Sequence, residues 1–270
     1  MQETLIDARQ RWLPDFRELW HFRDLLAVML RRDIAVRYKQ TALGPVWALL
    51  QPLITVLIYT LIFGRLAKLP SDGHPYPLFV LSGLLPWLFF STLLTGATHS
   101  VVAQSRLITK VYFPRLAAPY TAIGRPLMDF SIALLLLFGL MAWYRHVPPL
   151  AAATLPLWLL GIALTGLGIG SALAALAVFW RDVLFMVGIA VNFLLFLTPV
   201  IYPARMLPAP WDRLLLLNPL TGLIESARAC LLGTPIPWHA GLASLAAGAV
   251  LFFAGSALFQ RLEPRFADVI

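Results

Sequence analysis

The apolar residues of this chain come in runs too long for the core of a water-soluble domain. Six stretches, 43–63, 78–98, 119–143, 151–179, 184–202 and 238–259, are long, greasy and almost free of charge. About twenty such residues cross the hydrocarbon core of a bilayer as a helix. Lipid offers no hydrogen bonds to a backbone, so only helices and closed barrels cross it. Unbroken apolar runs of this length predict helices. The composition agrees: 60% of the 270 residues are apolar and 13% charged, against about 45–50% and about 25% in soluble domains.

The expected fold class is therefore an all-α polytopic membrane protein with six transmembrane helices. An N-terminal interfacial amphipathic helix precedes them, and two short re-entrant gate helices lie between the fifth and sixth spans. Residues 1–42 form the cytoplasmic N-terminal segment, 43–260 the membrane domain and 261–270 a cytoplasmic tail. Fourteen Lys and Arg residues fall on the side of the two termini and six on the other. The positive-inside rule then places both termini in the cytoplasm.

The net charge of +8 sits mainly between the greasy runs, which suits an anionic membrane leaflet rather than nucleic acid. Cys230 is the only cysteine, so no intrachain disulfide can form. The N-terminus alternates acids and bases and does not read as a cleavable signal peptide.

Three extramembrane stretches carry pattern. In 15–40, Asp15 and Glu18 can form an N-cap pair. Leu19, Phe22, Leu26, Leu30 and Ile34 then recur at helical spacing, with Trp12 and Trp20 at headgroup depth. This helix is either a plain surface anchor or one that also transmits force from a partner. The connection 99–118 has a polar half and an apolar half ending at Pro114. Its apolar residues pack on the chain's own helices or dock into a soluble partner.

The third stretch, 203–237, lies outside by charge yet is rich in leucine. Asn218-Pro219 is a strong helix start and Gly233 a strong stop. The helix between them is too short to cross; Leu220, Leu223, Ile224, Ala227 and Leu231 share one face of it, with Glu225 and Arg228 off that face. Trp211 to Leu217 can add one or two turns before it.

Chemistry-bearing motifs are few. The five histidines are scattered, with no His-Glu-x-x-His pattern, no Gly-x-Ser-x-Gly elbow and no phosphate-binding Gly-x-x-x-x-Gly-Lys-[Ser/Thr] loop. Any energy source is a partner or an ion gradient. Arg125 and Asp129, one turn apart in the third run, read as a self-neutralising pair or as a proton-coupling site. Gly161, Gly166, Gly168 and Gly170 allow close helix approach, in an internal seam or a dimer seam. Trp47, Tyr59, Trp87, Phe89 and Phe90 could stack on sugar rings along a glycan path, or could face lipid and core.

In order along the chain stand RDIAVRYKQTALGPVWALLQP, SGLLPWLFF, LITKVYFP, FWRD and TPVIYP, followed by LP and NP. This series resembles the ABC-2 type permeases of polysaccharide exporters, the membrane subunits for O-antigen, teichoic acid and capsule. The resemblance runs from about Arg32 to Arg228. It implies a permease without enzymatic activity, in the bacterial inner membrane, exporting a lipid-linked polysaccharide. It also implies a homodimer bound to two copies of a separate ABC subunit, which would bind the ATP and Mg that this chain does not.

By that resemblance, Gln104, Arg106, Leu107, Ile108, Lys110, Val111 and Phe113 couple to the ATPase. Trp211, Asn218, Pro219, Glu225 and Arg228 belong to the gate helices. Arg32, Arg37 and Lys39 stand where a pyrophosphate lipid head first meets the protein. Gly44-Pro45 turns the chain into the membrane, and Gln51-Pro52 bends the first helix. A capsular or small-molecule exporter, or a membrane-embedded transferase, is the alternative.

Overall fold

In the computed structural model, residues 16–38, 44, 46–105, 113–208, 211–215 and 217–268 are described. Among them every regular element is helical. Lys39, Arg106, Leu107, Ile108, Lys110 and Val111, named above as site residues, lie outside the described residues, as do Asp15 and Trp12.

The N-terminal amphipathic stretch runs as α1 (Phe16–His21) and α2 (Arg23–Tyr38). The two are nearly continuous, because the Phe22 N–H donates to the Glu18 carbonyl at 3.2 Å and the Leu26 N–H to the Phe22 carbonyl at 3.0 Å. The expected apolar stripe is used. Leu19 and Met29 are buried with Phe113 and Ala117, and Phe22 and Leu26 pack at the edge of that cluster. Trp20 remains exposed.

Five helical stretches are long and apolar enough to cross a membrane: Val46–Leu66, Tyr76–Ala103, Ala117–Trp143, Leu150–Phe179 and Trp238–Phe266. The first is α3 (Val46–Tyr59), which passes into a π-helical segment at Thr60–Leu66. Pro52 is buried inside α3, and the helix continues through it. The second is α4 (Tyr76–Ala103), packed on most sides. The third comprises α5 (Ala117–Thr121) and α6 (Gly124–Trp143). The fourth is a 3₁₀ turn at Leu150–Thr154 followed by α7 (Leu155–Phe179). The last is α11 (Trp238–Leu262), which ends in a 3₁₀ segment at Glu263–Asp268.

The expected run at 184–202 forms α8 (Asp182–Phe196), which has only 15 helical residues. At 1.5 Å per residue that is about 22 Å, short of a bilayer core. The cause is local. Pro199 disfavours helix in the residue before it and has no N–H for the ladder, so 197–203 proceeds as turns. Two short helices follow, α9 (Trp211–Leu215) and α10 (Pro219–Leu232).

The glycine-rich run acts as a seam inside this chain. A β-carbon on Gly170 would lie 2.6 Å from Ala97 Cβ of α4, and one on Gly168 2.4 Å from the Leu251 carbonyl oxygen of α11. Gly255 of α11 faces the Gly168 carbonyl at closer range still. Helices α4, α7 and α11 therefore meet backbone to backbone, with α7 between the other two.

At one end of this bundle α1, α2 and the C-terminal 3₁₀ segment converge on residues 113–117. The Arg115 guanidinium donates to the Glu263 carbonyl at 2.8 Å. Phe266 is buried with Leu116, Val101 and Phe259. Phe113, two residues before Arg115, is buried against α1 and α2.

Candidate functional site

Two places combine polar groups with irregular or exposed helix surface. The first lies at the opposite end of the bundle from α1 and the C-terminal 3₁₀ segment. There TPVIYP leaves the helical path, and its backbone groups need partners from elsewhere. Asn218 Nδ2 donates to Thr198 Oγ1 at 2.9 Å, while Asn218 Oδ1 caps α10 by accepting from the Leu220 N–H at 3.0 Å. Arg228 Nη2 donates to the Pro199 and Val200 carbonyls, both at 2.7 Å. The Tyr76 hydroxyl, from the first turn of α4, donates to the Ile201 carbonyl at 2.9 Å. The Ala204 N–H donates to Glu225 Oε1 at 3.0 Å. Asp72 and Arg205 form an ion pair at the rim.

The anchor is Arg228, only 5% exposed. Its guanidinium also stacks over Phe79, 4.0 Å from the ring centroid. Gly83 leaves room for it: a β-carbon there would come within 2.2 Å of Arg228 Nη2. Burial pushes the Glu225 carboxyl up from its ordinary value, against the opposing pull of the Ala204 N–H and Arg228. Helix α10 starts at Asn218-Pro219 and stops at Gly233, which takes φ +78°, as the cap residues dictate. Its surroundings differ from the pattern. The sequence put Glu225 and Arg228 off the apolar face, whereas nearly every residue of α10 is buried and Arg228 is enclosed by protein.

The second place lies towards the end where α1, α2 and the C-terminal 3₁₀ segment converge. A cleft of about 710 Å³ opens between α2, α4 and α6, with Val191 of α8 on its wall. Ser91, Thr92, Thr95, Gly96 and His99 line it from α4, Arg125 from α6, and Arg32 and Asp33 from α2. A smaller cavity of about 130 Å³ lies beside it, and Gln51, Thr92, Arg125 and Asp129 reach its wall. Arg125 and Asp129 face each other at 3.9 Å, as their spacing predicts. Among the described residues no group of three or more His, Cys, Asp or Glu could hold a metal ion.

The candidate residues separate clearly. Arg32 lines the cleft and pairs with Asp33 at 3.0 Å. Arg37 belongs to α2, with its side chain outside the described set. Trp87, Phe89 and Phe90 are at most 3% exposed and pack in the main core, Phe89 edge-on to Phe130 at 5.9 Å. Of the five aromatics proposed for a path, Trp47 is exposed and Tyr59 half-buried, its ring edge-on to Phe63. Gln104 and Phe113, at the two ends of the coupling stretch, are buried in this chain. Trp211 is exposed, and Pro219 opens α10.

Sequence reading missed Tyr76, Thr198 and the serine–threonine face of α4. Tyr76 and Thr198 act through backbone carbonyls or a single hydroxyl far away in sequence. The α4 face had a legible signal: Ser91, Thr95 and His99 recur every four residues inside a membrane helix.

Fold and sites together define a multi-pass helical membrane protein, with a polar cleft near one end and an arginine-held break in the helices near the other. The chain belongs to the ABC-2 type transporter family, which it matches over residues 24–232. It is 32% identical over 257 residues to the O-antigen export system permease protein RfbA of Myxococcus xanthus, covering 94% of this chain and 98% of the relative. The RfbA protein of Klebsiella pneumoniae is 27% identical over 259 residues, 93% of this chain and 97% of its own length. The polysialic acid transport protein KpsM of Escherichia coli is 27% identical over 239 residues, 86% and 91% of the two chains.

Proposed function

We propose that this chain is the permease subunit of an ATP-driven exporter that moves a lipid-linked, O-antigen-like polysaccharide across the bacterial inner membrane. The observation that carries the reading is similarity over nearly the whole chain to proteins named as O-antigen export permeases. ATP hydrolysis belongs to a separate ABC subunit, two copies of which serve a homodimer of this chain.

Six crossings with both termini in the cytoplasm fit the packing. Phe179, at the end of α7, lies 6.0 Å from Phe266, so α8 begins near the C-terminal segment. The segment after α8 reaches Tyr76 at the start of α4. Helix α8 and TPVIYP thus traverse the bundle together, making a sixth crossing from a short helix and a protein-buried extension. Non-helical backbone is tolerated at membrane depth only when protein or water surrounds it. Helices α9 and α10 are then the re-entrant gate helices, with Trp211, Asn218, Pro219, Glu225 and Arg228 in them.

Arg32, Arg37 and Lys39 receive the pyrophosphate head at the cytoplasmic surface. Trp47 and Tyr59 are the aromatics with ring surface available to a passing glycan. The stretch from Gln104 to Phe113, which includes Arg106, Leu107, Ile108, Lys110 and Val111, meets the ATPase through residues between its buried ends. The second reading is export of another polysaccharide, such as a capsular one, and similarity to KpsM, named as a polysialic acid transport protein, supports it.

Deleting the gene and examining surface polysaccharide on a gel tests the proposal. The expected result is loss of surface polymer with accumulation of lipid-linked glycan inside, restored by the wild-type chain. Normal surface polymer in the deletion strain would sink it.

A further inference from the structure

We propose that the open face of α4 in the large cleft is a sugar-binding subsite that reads hydroxyl groups of the lipid-proximal sugar. This rests on the export reading above and deepens it. Helix α4 is otherwise packed on most sides. Its open face is polar, formed by Ser91, Thr92, Thr95, Gly96 and His99 along the 710 Å³ cleft. Lipid tails do not account for this wall, since Arg32, Asp33 and Arg125 share it. The volume falls within the range of small-ligand sites, about 300–1,000 Å³.

The hydrogen-bond inventory identifies the ligand chemistry. Ser91 donates its hydroxyl proton to the Leu88 carbonyl at 3.2 Å, Thr95 to the Ser91 carbonyl at 2.8 Å and Ser100 to the Ala97 carbonyl at 2.7 Å. Their protons are spent on α4 itself, so these oxygens offer lone pairs. Gln104 also lines the cleft and is only 7% exposed; its Oε1 is buried with no hydrogen-bond partner among the described residues. Asp33 adds carboxylate oxygens.

The wall is thus rich in acceptors and calls for a ligand that brings donors. A phosphate brings none. Apart from Arg32, assigned above to the pyrophosphate, the cleft arginine is Arg125, which already faces Asp129 at 3.9 Å. Sugar hydroxyls supply donors in the required number, and they can accept in turn from Arg125 and His99. A pyrophosphate held near the α2 surface would place the first sugar inside this cleft.

The test uses the full-length chain in lipid nanodiscs. It is titrated with polyprenyl pyrophosphate carrying one N-acetylhexosamine and, separately, with the same carrier lacking sugar. Wild type is expected to bind the sugar-bearing carrier about tenfold more tightly, the worth of one or two good hydrogen bonds. In the double variant Ser91→Ala, Thr95→Val, and separately in Gln104→Leu, that margin falls to within about twofold of unity. Affinity for the sugarless carrier stays at the wild-type level, which also reports an intact fold. Thr95→Ser, which keeps the oxygen, retains the margin.

Equal affinity of wild type for the two carriers overturns the subsite, as does a margin that survives the variants. So does a loss shared by both carriers. If wild type restores surface polymer in the deletion strain yet shows no margin, the subsite fails and the export reading stands. If it shows the margin but restores nothing, the export reading fails alone.

Discussion

The Arg228 guanidinium lies 4.0 Å from the centre of the Phe79 ring, between the ring and two carbonyls of the segment that follows α8. One side chain of α10 thereby joins α4 to a stretch of non-helical backbone. A desolvated cation over an aromatic face is worth about 2 kcal/mol or more, and charge-assisted hydrogen bonds add to it. Lysine cannot reproduce the planar fork. Arg228→Lys is expected to lower stability by about 2–4 kcal/mol, read as a fall in melting temperature of the purified chain. Wild-type melting would remove the guanidinium from this account.

Asn218 does two tasks, capping α10 and donating to Thr198. Asn218→Ala removes both and is expected to cost about 1–2 kcal/mol, with surface export reduced more than expression. Asn218→Asp keeps the cap oxygen but loses the donor, so it should fall between the two. If the Asp variant behaves like wild type, the bond to Thr198 contributes nothing measurable.

The seam between α7 and α11 provides an internal comparison. Gly168→Ala would push a methyl against the Leu251 backbone, whereas Gly139 has nothing within 4 Å of its would-be β-carbon. Overpacking of this kind costs about 1–3 kcal/mol. Gly139→Ala, in an open stretch of α6, should be neutral or slightly stabilising. Equal melting temperatures for the two variants would contradict the close approach.

Outside the spans, the ring of His74 meets that of His146 edge-on at 5.4 Å. Burial and His146 hold the His74 imidazole below its ordinary value of 6.5, while Asp72, itself paired with Arg205, pulls the other way. With a depressed value in the fold, the contribution is full above 6.5. It is lost as pH falls below that value, because the unfolded chain takes up the proton first. Hydrogen-exchange protection at residues 68–76 and 141–147, taken relative to intrinsic exchange at each pH, should therefore fall on mild acidification, and His146→Gln should blunt the response. Identical pH dependence in the variant would exclude the pair as its source.

How much of this was legible depended on how local each cause is. The ends of α10 could be read because Asn218, Pro219 and Gly233 act on their own backbone within a turn. The glycine run could be read as a seam, since only small residues permit such approach, though which helices it joins could not. Trp87, Phe89 and Phe90 were harder: an aromatic that fills a core and one that lines a path look the same in sequence. Arg228 was misplaced on a helical wheel because its partners are carbonyls 28 and 29 residues away, which have no residue signature. The early end of α8 was available in Thr198-Pro199 but was outweighed by the apolar run around it.

The break after α8 also sets a rule of counting. Thr198, Pro199, Val200, Ile201 and Ala204 are bound by Asn218, Arg228, Tyr76 and Glu225, from one end of α4 and along α10. Most of these contacts use main-chain atoms, which any residue supplies, so the side chains answer only to the core that buries Val200 and Ile201. The number of residues answers to the contacts themselves. A single insertion or deletion between Thr198 and Ala204 would shift several pairings by one position at once. In this segment, length is a stricter inheritance than identity.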